Sequence, residues 1–195
     1  MPVGQWACRR GQVTAGQTAL ITGAGPVGLC AVQAAVSVGA GEVVVADLSP
    51  YRLDVARGLG ATAVIDISNT PLRDSEAMAD VLLECSGAQA AVQDGIDLLR
   101  PTGRAVLVGM GSDEVSLPTT ALQDREIEVT GTFRYANTYP AAIALVAADR
   151  IDLDALVTGH FPLEQAEAAL LAGRTDATAI NSIVTPARAE PSCSS

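Results

Sequence analysis

Short apolar runs alternate with longer mixed segments along this chain. Residues 17–22 (QTALIT) read as a strand, and 29–38 behind them are apolar on nearly every side, like a helix buried against a sheet. Further strands are predicted over 42–47 (EVVVAD), 63–67, 80–85 (DVLLEC), 104–109 (RAVLVG) and 126–133. Helices fall between them. Ser49 and Pro50 open one as N-cap and first helical residue, with Leu53, Ala56 and Leu59 inward and Gly60 at its end. Others are predicted over 88–99 and 138–150, and the end of one (ACRRG) is stopped by Gly11. This order predicts an α/β fold with right-handed crossovers and a parallel sheet. The third crossover, 68–79, leaves room for one or two helical turns.

Residues 151–186 differ in kind, with a short alanine-rich helix over 164–172 and a terminal strand over 179–185. The predicted organisation is therefore a helical segment (1–16), a doubly wound domain (17–150), a helix–strand appendage (151–186) and a small, polar, disordered tail (187–195).

Composition narrows the classes. Hydrophobic residues are 49% and aromatics only 3%, which suits a core of Val, Leu, Ile and Ala in strands covered on both faces and excludes global disorder. Twelve basic against 22 acidic residues give a net charge of −10 without a basic stripe, which argues against nucleic-acid and anionic-membrane partners. There is no uncharged apolar run of about 18 residues and no basic-then-apolar N-terminus, so a cytoplasmic setting is expected. Cys8, Cys30, Cys85 and Cys193 are scattered, without a C-x-x-C pair and far in sequence from the single His160. Free thiols in a reducing compartment are expected, with no metal site.

The candidate chemistry lies in Gly23-Ala24-Gly25-Pro26-Val27-Gly28, directly after a strand and directly before a helix. Gly23 permits a tight turn, Gly25 lets a pyrophosphate approach the backbone, and Gly28 lets the helix pack on the strand. Asp47 ends the next strand about 20 residues further on, where an acid accepts hydrogen bonds from both ribose hydroxyls and repels a 2′-phosphate. That favours NAD over NADP; the plainer reading of Asp47 is a cap for the following helix. Arg52 is open between stacking on adenine, pairing with Asp47 and lying in solvent, and a basic residue there leaves room for NADP. The whole pattern predicts a six-stranded Rossmann sheet in the order 3-2-1-4-5-6.

The segments ACRRGQVTAGQTALITGAGPVGL, VVVADLSPYRLDVARGLGA, LLECSG, LVGMGS and VTGTFRYANTYPAAI resemble the zinc-dependent medium-chain alcohol dehydrogenases, within them the sorbitol/xylitol (polyol) branch. The resemblance implies an NAD site that adds Val27, Arg52, Val108, Gly109, Met110, Phe133 and Arg134 to the glycines and Asp47, with Arg134 and Tyr135 toward the substrate. It also implies a homodimer or homotetramer through the sixth strand. The family's alcohol chemistry is zinc-assisted, with ligands in an N-terminal domain that this sequence does not show, and none of Cys8, Cys30, Cys85 or His160 matches a ligand position. No catalytic residue is therefore expected here, and a small alcohol or polyol is a partner only if a catalytic domain is supplied. The alternatives are a stand-alone NAD-binding or dimerising module, or an inactive remnant.

Overall fold

The computed structural model describes residues 1–186; the tail expected over 187–195, with Cys193, lies outside the described residues. The chain divides into two compact units, Met1–Leu153 and the residues from Asp154 onward.

In the first unit, α1 (Pro2–Gly11) precedes the strands β1 (Thr18–Thr22), β2 (Glu42–Asp47), β3 (Ala63–Asp66), β4 (Ala79–Glu84), β5 (Leu99–Leu107) and β6 (Glu128–Gly131). Between them lie α2 (Pro26–Ser37), α3 (Pro50–Gly58), one 3₁₀ turn (Leu72–Asp74), α4 (Gln89–Asp97) and α5 (Thr119–Asp124), and α6 (Tyr139–Ala147) follows β6. The strands form one sheet in the order β3-β2-β1-β4-β5-β6, every neighbour parallel. This is the doubly wound order read from the sequence. β1 is buried throughout, because helices cover both faces of the central strands.

On one face Leu20, Leu82, Val92, Ile96 and Leu99 form a closed apolar cluster. Leu72 joins it from the 3₁₀ turn and is 2% exposed. The shortened crossover thus sets one leucine where a longer connection would set the face of a helix. The Arg73 backbone N–H donates to Asp94 Oδ2 at 3.4 Å, which ties the same turn to α4.

Several boundaries differ from those the sequence predicts. β6 spans only Glu128–Gly131, because Glu126 and Arg134 both have left-handed backbones that end the extended run. β5 starts early, with Leu99 paired to Ala79, then breaks register at Thr102, which has positive φ; α4 therefore stops at Asp97. The residue that turns the chain after α1 is Gln12, at φ 53°, and Gly11 serves packing instead. A Cβ on Gly11 would lie 2.8 Å from Val81 Cγ1. The short α5, with no buried residue, has no periodic signal in the sequence.

In the second unit a 3₁₀ turn (Asp154–Leu156) leads to β7 (Val157–Pro162), a second turn (Leu163–Gln165), α7 (Ala166–Thr175) and β8 (Asn181–Thr185). β7 and β8 pair in parallel, and the Ile180 N–H donates to Thr158 Oγ1 at 2.8 Å. β7 is missing from the sequence reading because its glycine and proline mask the alternation that its burial shows. The helix begins and ends later than 164–172, and β8 begins later than residue 179.

Candidate functional site

The site is built at the carboxyl ends of β1 and β4, where the strand order reverses. Gly23 leaves β1 at φ +87° and its N–H donates to the Ala46 carbonyl at 2.8 Å, tying the turn to β2. Gly25 is the N-cap of α2 and offers no side-chain acceptor; Pro26 fills the first turn. The first N–H groups of α2 thus face outward without the usual Ser or Asp cap, which suits an anion. A Cβ on Gly25 would meet nothing within 4 Å, so the space above this helix end is open. A Cβ on Gly28 would overlap the Gly23 carbonyl oxygen and lie 3.0 Å from its carbon. The two glycines therefore do different work: Gly28 lets α2 close on the turn, and Gly25 leaves room outside it.

Asp47 ends β2 beside this turn. Its Oδ2 accepts the Ala24 N–H at 2.6 Å and its Oδ1 accepts the Ser49 N–H at 2.8 Å. The carboxylate thus clamps the glycine turn to the lead-in of α3, which is more than the cap that the plainer reading foresaw. About four acceptor sites belong to an ionised carboxylate, so sites remain for two further donors. The Arg52 N–H donates to Ser49 Oγ at 3.4 Å within the same cap.

A cavity lies on each side of the switch point, each of about 510 Å³. Gly23, Asp47, Leu48 and Ile67 line the one beside β2 and β3. Val27, Val108, Gly109, Met110, Phe133 and Arg134 all line the one beside β5 and β6. Met110 and Phe133 are 86% and 71% exposed, at its mouth. The Arg134 guanidinium carbon sits 5.3 Å from the Phe133 ring centre. Gly25, Gly28 and Arg52 line neither cavity. Tyr135 lies outside both linings, its hydroxyl 3.0 Å from that of Tyr139, an interaction that raises the Tyr139 pKa.

Glu84, which the sequence reading passed over, is the buried hub between the cavities, at 1% exposure. Its Oε1 accepts from the Ser86 and Gly87 N–H groups at 2.8 and 2.9 Å, from Ser86 Oγ and from Thr22 Oγ1 at 3.3 Å. Its main-chain carbonyl accepts the Val108 and Gly109 N–H groups, both at 2.8 Å. One residue therefore fixes the exits of β1, β4 and β5 together. The turn it holds is the partition: Cys85 lines one cavity, Ser86 and Ala88 the other. The available signal was a lone acid closing an apolar strand, DVLLEC.

The sequence profile described as zinc-binding dehydrogenase matches residues 26–148. The chain belongs to the zinc-binding dehydrogenase family. Sorbitol dehydrogenase of Homo sapiens is 41% identical over 174 residues, which are 85% of this chain and 49% of that protein. The same enzyme of Gallus gallus is 42% identical over the same shares. The chain thus spans about half the length of the curated relatives it matches. Among solved structures, 2R,3R-butanediol dehydrogenase of Bacillus subtilis superposes with a TM-score of 0.87 at 26% identity, over 95% of this chain and 55% of that one. An E. coli alcohol dehydrogenase in complex with NADH gives 0.87 at 26% identity, over 94% and 56%.

The donor set of this zinc-binding dehydrogenase chain does not fit the metal of the family name. Among the described residues no group of three or more His, Cys, Asp or Glu side chains is placed to hold a metal ion. Cys8 is a buried thiol directed at the Ala31 carbonyl at 3.8 Å, and burial pushes its pKa up to about 12. Burial first, and then the Glu84 carboxylate, raise the pKa of Cys85 as well. Burial therefore makes the thiolate form costlier at both positions.

Proposed function

We propose that this chain is the cofactor-binding portion of an NAD-dependent polyol or alcohol dehydrogenase. The observation that carries the reading is the glycine turn and Asp47, clamped to each other at the switch point between two cavities of equal size. A dinucleotide has two nucleoside halves joined by a pyrophosphate, and this site offers two cavities, one lined by Gly23 and the other by Val27, with the uncapped N-terminus of α2 between these residues in the chain. The open space above Gly25 fits the pyrophosphate, and Val27 and Gly28 present their N–H groups to it. Asp47 has acceptor sites left for the ribose hydroxyls. Val27, Val108, Met110 and Phe133 give the other cavity the apolar lining that a nicotinamide ring calls for. NAD supplies the hydride acceptor when bound; the residues of this chain hold and orient it. The NADH complex of the E. coli relative supports the same choice of cofactor. Arg134 lines the nicotinamide-side cavity, so of the two residues implied to face substrate it is the better placed.

The same reading takes residues 17–150 as the NAD-binding domain and residues 151–186 as a segment of the catalytic domain. It takes β6, the edge strand of the sheet, as the contact between two copies in a homodimer or homotetramer. Light scattering tests that contact: a monomer at high concentration overturns it. No helix among the described residues is long and apolar enough to cross a membrane. Cys8, Cys30 and Cys85 are free thiols, which supports a cytoplasmic setting. Titration calorimetry with NAD and NADP tests the cofactor itself. NAD is expected to bind about tenfold or more tightly, because the Asp47 charge faces the position of the 2′-phosphate. Equal affinities would sink the assignment of Asp47.

A further inference from the structure

The cavity beside β2 and β3 contains a charged group that the cofactor contacts above leave unused. Asp94 lies in the second turn of α4, is 6% exposed, and lines this cavity together with Asp47. Its oxygens are poorly supplied. Oδ2 accepts the Arg73 N–H at 3.4 Å, and Oδ1 stands 3.6 Å from Arg73 Nη1. Both contacts are well beyond the roughly 2.8 Å of a charge-assisted hydrogen bond. The Arg73 side chain is itself 62% exposed, so water competes for it. A buried carboxylate in that position has acceptor capacity to spare and gains from any donor that enters the cavity.

The rest of the lining says what shape of donor fits. Leu48 and Ile67 are apolar, Ala88 and Ala91 are small, and together with Asp94 they bound a space large enough for a purine nucleoside. The space is open because the crossover makes a single 3₁₀ turn, which leaves residues 68–71 as a loop along its wall, followed by Leu72 and Arg73 of the turn. We propose that Asp94 reads the amino edge of the base: it accepts a hydrogen bond from the exocyclic amine of adenine and thereby selects adenine over 6-oxopurines. The proposal rests on the dinucleotide reading, since it is the ribose at Asp47 that directs the base into the same cavity. A hypoxanthine or guanine ring carries a carbonyl at that position, and its oxygen would face the carboxylate acceptor to acceptor.

The test uses the full chain and two probes, NAD and its hypoxanthine analogue, which differ at the 6-position, amine against oxo, and at the adjacent N1, which is protonated in the analogue. Calorimetric titration of the wild type is expected to show NAD binding about tenfold or more tightly. In Asp94→Asn, whose amide both donates and accepts, the preference is expected to collapse toward equality, with NAD weakened and the analogue strengthened. Equal affinities in the wild type overturn the inference while leaving the dinucleotide site standing. A preference that survives in Asp94→Asn overturns the role of Asp94. If Asp94 serves only to hold Arg73 and the crossover, the substitution weakens both probes alike, which also overturns it. Binding of neither probe removes the dinucleotide reading itself, and this inference with it.

Discussion

Gly25 and Gly28 stand three residues apart, and the structure expects opposite outcomes when each is replaced by alanine. A Cβ on Gly28 overlaps the Gly23 carbonyl oxygen and approaches its carbon to 3.0 Å. Both are main-chain atoms, so no side chain can swing aside. Relief takes a shift of about 1 Å or more between the first turn of α2 and the turn after β1. That shift strains the Gly23 N–H bond to Ala46 O at 2.8 Å and the clamp of Ala24 on Asp47 at 2.6 Å. Overpacking of this kind costs about 3 kcal/mol. Gly25 has φ −74° and ψ −177°, which any residue adopts, and its Cβ would meet nothing within 4 Å. Gly25→Ala should therefore change folding stability by less than about 0.5 kcal/mol. Its methyl group would nonetheless stand where the pyrophosphate must approach, and NAD affinity should fall about tenfold or more. Urea unfolding reads the first quantity and calorimetric titration with NAD the second. Wild-type NAD affinity in a well-folded Gly25→Ala would falsify the placement of the pyrophosphate. Unchanged stability in Gly28→Ala would refute the packing argument.

Other consequences are equally open to measurement. Asp47→Ala leaves the Ala24 and Ser49 N–H groups without their acceptor, so it should lower stability by about 2 kcal/mol as well as eroding the preference for NAD over NADP; unfolding curves identical to wild type would show that the clamp contributes nothing. Glu84→Ala strips a buried hub of its acceptors and should cost about 3 kcal/mol or more, with Glu84→Gln costing less because one amide oxygen remains; an Ala variant as stable as wild type would contradict the role given to Glu84. Cys8 has its pKa raised by burial from 9.0 to about 12, so the stability its neutral thiol contributes is intact below pH 9.0 and is lost as pH climbs from there toward about 12. Denaturation midpoints at rising pH should fall less steeply in Cys8→Ala; the same slope in both proteins would rule this out. Finally, the 195-residue chain supplied with NAD, zinc and sorbitol should form no NADH, since its described residues assemble no metal-holding group; chelator-sensitive NADH formation would overturn that expectation.

The fold was legible because its signals are local. The β1 run, the glycine spacing and the acid at the end of β2 each depend on neighbours in sequence, and strand–helix alternation with right-handed crossovers then leaves few sheet orders to choose from. The turn chemistry of Ser49, Pro50 and Gly60 marked α3 for the same reason. What depends on the meeting of distant segments was hidden. Nothing near Leu72 in sequence says that it closes the core in place of a helix. Gly11 looked like a helix stop, and only the approach of Val81 shows that it is a packing residue. β7 became a strand because β8 lies beside it, against the weak preferences of its own glycine and proline. The two cavities, the partition held by Glu84 and the sparsely supplied carboxylate of Asp94 exist only once β4, α4 and the short crossover converge. Periodicity and turn residues are properties of a few consecutive positions, whereas burial and the number of donors around a carboxylate are properties of the packed whole.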